Sequence, residues 1–268
     1  MGKAELPSIR ISISLIMLFQ VSALIIRELA RLEMTGAEQE PAIAQHVSAL
    51  FGFAALGIFM WPLLRGHWMN VRNLFHQPRS WPQLIICSVA IGLLFRLANW
   101  TKMIASIAFG FQGQADSIMA TEPVFWWACP PASSLVLGVV VMAGLTPLVE
   151  ELIHRGLILC ALFERHRVLA VLVSAISFSA LHSFNDVLLA FAFGIVAAIQ
   201  MINYRTLWAC LLAHMTFNLM ITFDWDCLHG IWIPESASPT LGVISTGLTI
   251  AFLVAALAIA RKTNAGAP

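Results

Sequence analysis

Charge is what this chain has least of. Only 11% of its 268 residues are Asp, Glu, Lys or Arg, against about 25% in soluble domains. Apolar residues make up 59%, and mean hydropathy is +0.84. This excludes a globular protein with a large core and implies an integral membrane protein. The net charge of +1 gives no footing for a nucleic-acid partner or for an acidic partner bound in bulk. The five cysteines (Cys87, Cys129, Cys160, Cys210 and Cys227) contain no CxxC pair. Neither a disulfide framework nor a cysteine metal site is expected. Four of them sit in apolar runs as small hydrophobes; Cys227 falls in a loop without explanation. Internal repeats, low-complexity tracts and a soluble domain are all missing. The first apolar run is followed by no small-x-small cleavage site, so it reads as an uncleaved span.

What is present is a series of apolar runs. Residues 11–26, 43–64, 83–100, 168–182, 187–204, 206–223 and 239–260 each read as a span, and 123–163 as an irregular approach followed by one long kinked helix. The predicted fold is an all-α polytopic membrane bundle of about eight transmembrane helices. The basic loop 65–82, the turn with Arg165 and Arg167, Arg205, and Arg261-Lys262 share one side if both termini do. The positive-inside rule makes that side cytoplasmic. The acidic loop 28–42 and loop 224–239 then face outward.

The run 123–163 holds Pro147-Leu148-Val149-Glu150-Glu151-Leu152-Ile153-His154-Arg155-Gly156. Charges at membrane depth are costly and usually functional. Helical neighbours point about 100° apart, and positions four apart nearly share a face. Arg155 can therefore pair with Glu151, which leaves Glu150 on another face and available for chemistry. A structural network of all three is the alternative. Two later segments add to the set. Phe178-x-x-x-His182 puts an aromatic one turn before a histidine, and His214-x-x-x-Asn218 puts two polar groups on one helical face. Counted from the basic ends, Glu150 and His182 each lie about 22 Å deep, Asn218 roughly 20 Å and His214 roughly 14 Å. Polar groups at one level on three helices seek one another, because lipid offers no partner.

The three motifs together resemble those of the CPBP intramembrane proteases, a family of type II CAAX prenyl endopeptidases and bacteriocin-processing or self-immunity proteins. The resemblance spans about residues 130–220. The spans together read as a single transmembrane domain over 1–268, with N-terminal accessory spans in 1–122 that carry no such resemblance, a CPBP-like catalytic core at 130–220 and a last span at 239–260. The resemblance implies a glutamate-dependent endopeptidase in which Glu150 and His182 activate a water, while His214 and Asn218 form the oxyanion site. Glu151, Arg155 and Phe178 are the supporting residues. The family usually has an aromatic before the arginine, where this chain has His154. By spacing His154 shares the face of Glu150, where it would tune Glu150 or contact substrate; the alternative is that it fills the aromatic slot and packs.

No metal ligand set and no cofactor are expected, since HExxH is absent and Asn218 suits an oxyanion better than zinc. A zinc-dependent protease using the same Glu/His set is one rival. A non-enzymatic transporter or immunity protein is another. The expected partners are the lipid bilayer and a peptide or C-terminally anchored protein substrate. The expected location is a bacterial inner or plasma membrane, multi-pass, with both termini cytoplasmic. No residue reads out a prenyl group.

Overall fold

The structure is a computed structural model that describes residues 6, 12–36, 41–110, 126–127, 132–226, 228–229 and 237–262. Cys129, Cys227 and residues 230–236 of loop 224–239 lie outside them. Helices α1 (Ile13–Gly36) and α2 (Pro41–Gly66) form an N-terminal hairpin. A short α3 (Trp68–Asn73) and the long α4 (Trp81–Ala108) follow. Helix α5 runs continuously over 132–163. Then come α6 (Arg167–Ser179), α7 (Val187–Tyr204), α8 (Leu207–Asp226) and α9 (Pro239–Lys262). A two-residue antiparallel pairing, Trp126–Trp127 with Leu228–His229, is the one strand pairing among the described residues.

Local sequence explains the boundaries. Helix α4 starts where Ser80 accepts a hydrogen bond from the Gln83 amide, with Pro82 in the first turn. Both are N-terminal signals, since the cap satisfies an orphan donor and proline lacks one. Helix α7 ends at Arg205, which takes a left-handed backbone (φ 58°), a common way to stop a helix.

Six helices are long and apolar enough to cross a membrane, and the apolar helices Arg167–Ser179 and Leu207–Thr222 are shorter. The chain is therefore an integral membrane protein, with eight apolar helices among the described residues, six of full span length. Outward-facing Ile58, Ile86, Ile176 and Val243 are exposed, as lipid-facing side chains are. The interior joins α4 to α8 and α9, α6 to α7, and α5 to α6 and α8. Gly92 makes the α4–α8 crossing close: a Cβ there would stand 2.6 Å from Ala213 O and 2.7 Å from Thr216 Cβ. Small residues permit such backbone approach in membrane bundles.

Two expected boundaries move. The stretch 28–42, expected as a polar loop, is helical to Gly36 and again from Pro41. Intrahelical pairing of Glu28 with Arg31 at 2.6 Å lets α1 carry these charges. Helix α6 stops at Ser179 rather than reaching His182. At 1.5 Å per residue its 13 residues cover ~20 Å, short of a ~30 Å core.

The basic ends meet. Leu207 N donates to Leu74 O at 2.8 Å, and Thr206 Oγ1 to Leu74 O and His76 O. Trp208 Nε1 donates to Phe75 O, and Asn203 Nδ2 to Ala260 O. Loop 74–76, the turn at Arg205 and the end of α9 thus share one end of the bundle. At the far end of α4, Lys102 pairs with Asp186.

Candidate active site

Helix α5 is built from alternating registers. Val139–Leu145 and Leu152–Leu159 make π-type turns, with α-helical Thr146–Glu151 between them. Such turns recur at functional sites, because the wider turn re-aims side chains. Here a proline sets the pattern. The Thr146 amide reaches Val141 O, a five-residue step. In that register the next donor, to Met142 O, would belong to residue 147, which is Pro147 and has no N–H. Asn218 Nδ2 from α8 donates to Met142 O instead, at 2.8 Å. A buried carbonyl that would otherwise be orphaned thereby orients the amide, which retains one further N–H.

Glu150 and Glu151 close the α-helical segment and part company. Glu151 is fully buried. Its Oε1 accepts from Arg155 Nη1 at 3.0 Å and from His214 Nδ1 at 2.8 Å. Arg155, equally buried, also donates to Gly194 O at 3.4 Å and lies 4.4 Å over the Phe178 ring. The Glu150 side chain keeps 21% exposure, with Oε2 at 3.7 Å from His214 Nε2. His214 therefore bridges the two acids, one ring nitrogen to each.

His182 sits in the turn after α6. Its Nδ1 donates to Phe178 O at 3.0 Å; a carbonyl only accepts, so the neutral ring presents Nε2 as an acceptor. Phe178 is the partition of the site. Its ring centroid lies 4.7 Å from that of His182, 5.6 Å from His214 and 5.8 Å from Phe193.

Glu150, His182, His214 and Asn218 line one cavity of about 510 Å³. Helices α1, α4, α7 and α8 complete its wall, with Arg27, Asn99, Lys102 and Thr146 also lining it. Lys102 and Asp186, paired at 2.5 Å, mark the side toward the end of the bundle away from the basic loops. Asp186 lies outside the spans. Its burial opposes ionisation, but hydrogen bonds from Lys102 and Ser183 outweigh that and hold its carboxyl below the ordinary value.

His154 does not share this cavity. Its Nδ1 donates to Ser177 Oγ at 2.9 Å, and Ser177 passes its own proton to Ser174 O. Its Nε2 accepts from Gln20 Nε2 of α1 at 3.3 Å. The ring stands edge-on to Phe178, 5.4 Å between centroids. The face shared with Glu150 on α-helical counting is not kept, because π turns begin at Leu152 and break that count. Arg27, Asn99, Lys102 and Thr146 were not singled out by sequence. Of these, Arg27 had a readable signal, a cation at the edge of an apolar run. Among the described residues, no three His, Cys, Asp or Glu side chains gather in a way that could hold a metal ion.

The fold and site define a polytopic helix bundle with a polar, carboxylate- and imidazole-lined cavity at membrane depth. Residues 132–220, a third of the chain, match the family model described as type II CAAX prenyl endopeptidase Rce1-like. No curated protein and no solved structure matches the chain. The family is one of membrane endopeptidases, so the match supports peptide-bond hydrolysis at the bilayer in general terms.

Proposed function

We propose that this protein is an intramembrane endopeptidase in which Glu150 and His182 activate a water and His214 and Asn218 hold the developing oxyanion. The supporting observation is that these four side chains, from α5, the α6–α7 turn and α8, line one cavity. Glu150 serves as the general base, since it is the partly exposed acid of the adjacent pair. His182 presents an unprotonated Nε2 that can take or orient the second hydrogen of the water. On the oxyanion side, Asn218 contributes the N–H not given to Met142 O. His214, whose Nδ1 is held by Glu151, turns its Nε2 toward the same space. Two such donors supply the electrostatic stabilisation that acyl-transfer chemistry needs.

The role of α6 follows from its length. A helix of ~20 Å stops inside the core, and its irregular end can exist there only because it lines a polar cavity. Water then reaches the base from the end of the bundle opposite the basic loops. By the positive-inside rule that end is the non-cytoplasmic one, with both termini cytoplasmic. The substrate on this reading is a leader-bearing peptide or the C-terminal anchor of an exported protein, held in the membrane of a bacterial cell.

The test is reconstitution in vesicles with a panel of lipid-anchored peptides, cleavage being read by mass spectrometry. The wild-type protein releases fragments; Glu150→Gln, present at equal amount and equally folded, releases none. Cleavage that persists in Glu150→Gln refutes the assignment.

A further inference from the structure

Two cations line the cavity, Lys102 and Arg27, and Lys102 has a carboxylate partner, as do two cations elsewhere on the spanning helices. Arg155 is paired with Glu151, Lys102 with Asp186, and Arg31 with Glu28. Arg27 is the exception. It lies in the span Ile13–Met34 and lines the cavity; the neighbouring Glu28 feels its charge but accepts its hydrogen bonds from Arg31, and among the described residues no hydrogen bond or close ion pair engages the Arg27 guanidinium. A cation inside a span is costly unless it faces a polar space and is used there.

Its position is built rather than incidental. Gln20 and Arg27 are seven apart, two helical turns, and so share a face of α1. The contact between Gln20 and His154 fixes the register of α1 against α5. One turn back along α5 from His154 stands Glu150; two turns on along α1 from Gln20 stands Arg27. Both reach the same cavity. Helix α2 holds the base of the side chain: a Cβ at Gly52 would lie 3.0 Å from Arg27 Cβ and 3.3 Å from Ala23 O. The two helices meet closely there, and the arginine stem has little room to swing away. The amide of Asn99 lies in the same wall.

We propose that Arg27 is a specificity-determining residue whose guanidinium takes a carboxylate carried by the substrate. This rests on the protease reading above. A planar guanidinium matches a carboxylate in a two-bond fork, and the cavity holds that fork on the same wall system as the acid that attacks the peptide bond. The carboxylate is either the chain terminus of the substrate or an acidic side chain near the scissile bond. In both cases the substrate supplies the close partner that Arg27 lacks among the described residues.

The test uses the full chain carrying Glu150→Gln in lipid nanodiscs. The probes are three palmitoylated tetrapeptides: an all-alanine free acid, its C-terminal amide, and an amide with one Ala replaced by Glu. Binding is measured by tryptophan quenching, corrected for partition into empty discs. The free acid or the Glu-containing amide is expected to bind roughly tenfold to hundredfold tighter than the neutral amide, the range for one charge-assisted contact. Preference for the free acid assigns the chain terminus, and preference for the Glu peptide assigns a side chain. Adding Arg27→Gln should erase the preference, and Arg27→Lys should keep part of it. Equal binding of all three probes with Arg27 intact, no binding of any, or a preference that survives Arg27→Gln overturns the proposal. Binding is read without turnover. A charge preference that depends on Arg27, in a protein whose native form cleaves no peptide, would refute the protease reading alone.

Discussion

Glu150 and Glu151 are joined by a single peptide bond and sit in different media. Glu151 has no exposed surface and holds two donors, Arg155 and His214; Glu150 keeps 21% exposure and faces His214 Nε2 at 3.7 Å. The difference arises from rotation of about 100° between neighbours on a helix, which sends one carboxylate to the bundle interior and the other to the cavity. Glu151 is already held by a guanidinium and an imidazole, whereas Glu150 keeps spare lone pairs facing the cavity. On the proposed reading, one chemical group supplies structure on one face and chemistry on the next.

The contrast can be broken at either member. Glu150→Gln should lower the cleavage rate by ~10⁴-fold, the upper end for a general base, while thermal unfolding in detergent stays within a degree or two of wild type. Glu151→Gln or Arg155→Ala should act the other way round, through the fold. Each strands a buried charge at a cost of roughly 3–5 kcal/mol, visible as lower abundance in membranes and a lower unfolding temperature. Equal abundance and equal loss of rate in all three variants would dissolve the distinction between the two acids.

His182→Ala should resemble Glu150→Gln, whereas Asn218→Ala should retain turnover reduced by ~10²–10³-fold, the usual loss for one oxyanion donor. Single-turnover rates with saturating substrate separate these. An Asn218→Ala enzyme of unchanged rate removes that residue from the chemistry. Gly92→Ala touches neither acid. Its methyl would press on Ala213 O and Thr216 Cβ, so α4 and α8 must shift, at about 1–3 kcal/mol. Calorimetry should show the destabilisation, and kcat should fall because His214 follows Ala213 in the chain. The smallest effect is expected from chelators: activity after EDTA treatment should equal that before. Loss with EDTA, restored by zinc, would move Glu150 from base to metal ligand.

Much of this was legible in the sequence, and the limits have physical causes. The all-helical membrane fold follows from the scarcity of charge and the length of the apolar runs. The cavity residues Glu150, His182, His214 and Asn218 could be named from spacing and matched depth, because periodicity reports where a side chain points on its own helix. It does not report which helix stands opposite. The partner of His154 is Gln20, 134 positions away, and no local pattern connects them. Nor could a count of 3.6 residues per turn survive the π segments of α5, and this is why the placement of His154 beside Glu150 failed. Arg27 stands just past the end of the apolar run at Ile26, where it looks like a flank, yet the helix continues to Gly36.

Pro147 leaves the protein with a deliberate vacancy in its own wiring. Any of the other nineteen residues at that position would bring an N–H to Met142 O and compete with Asn218 for it. The amide of Asn218 would then be free to rotate, and the site would lose its alignment with every reacting group still in place. On the proposed reading the alignment of the site is guarded by an atom the backbone lacks, at a position outside the four residues assigned to the chemistry.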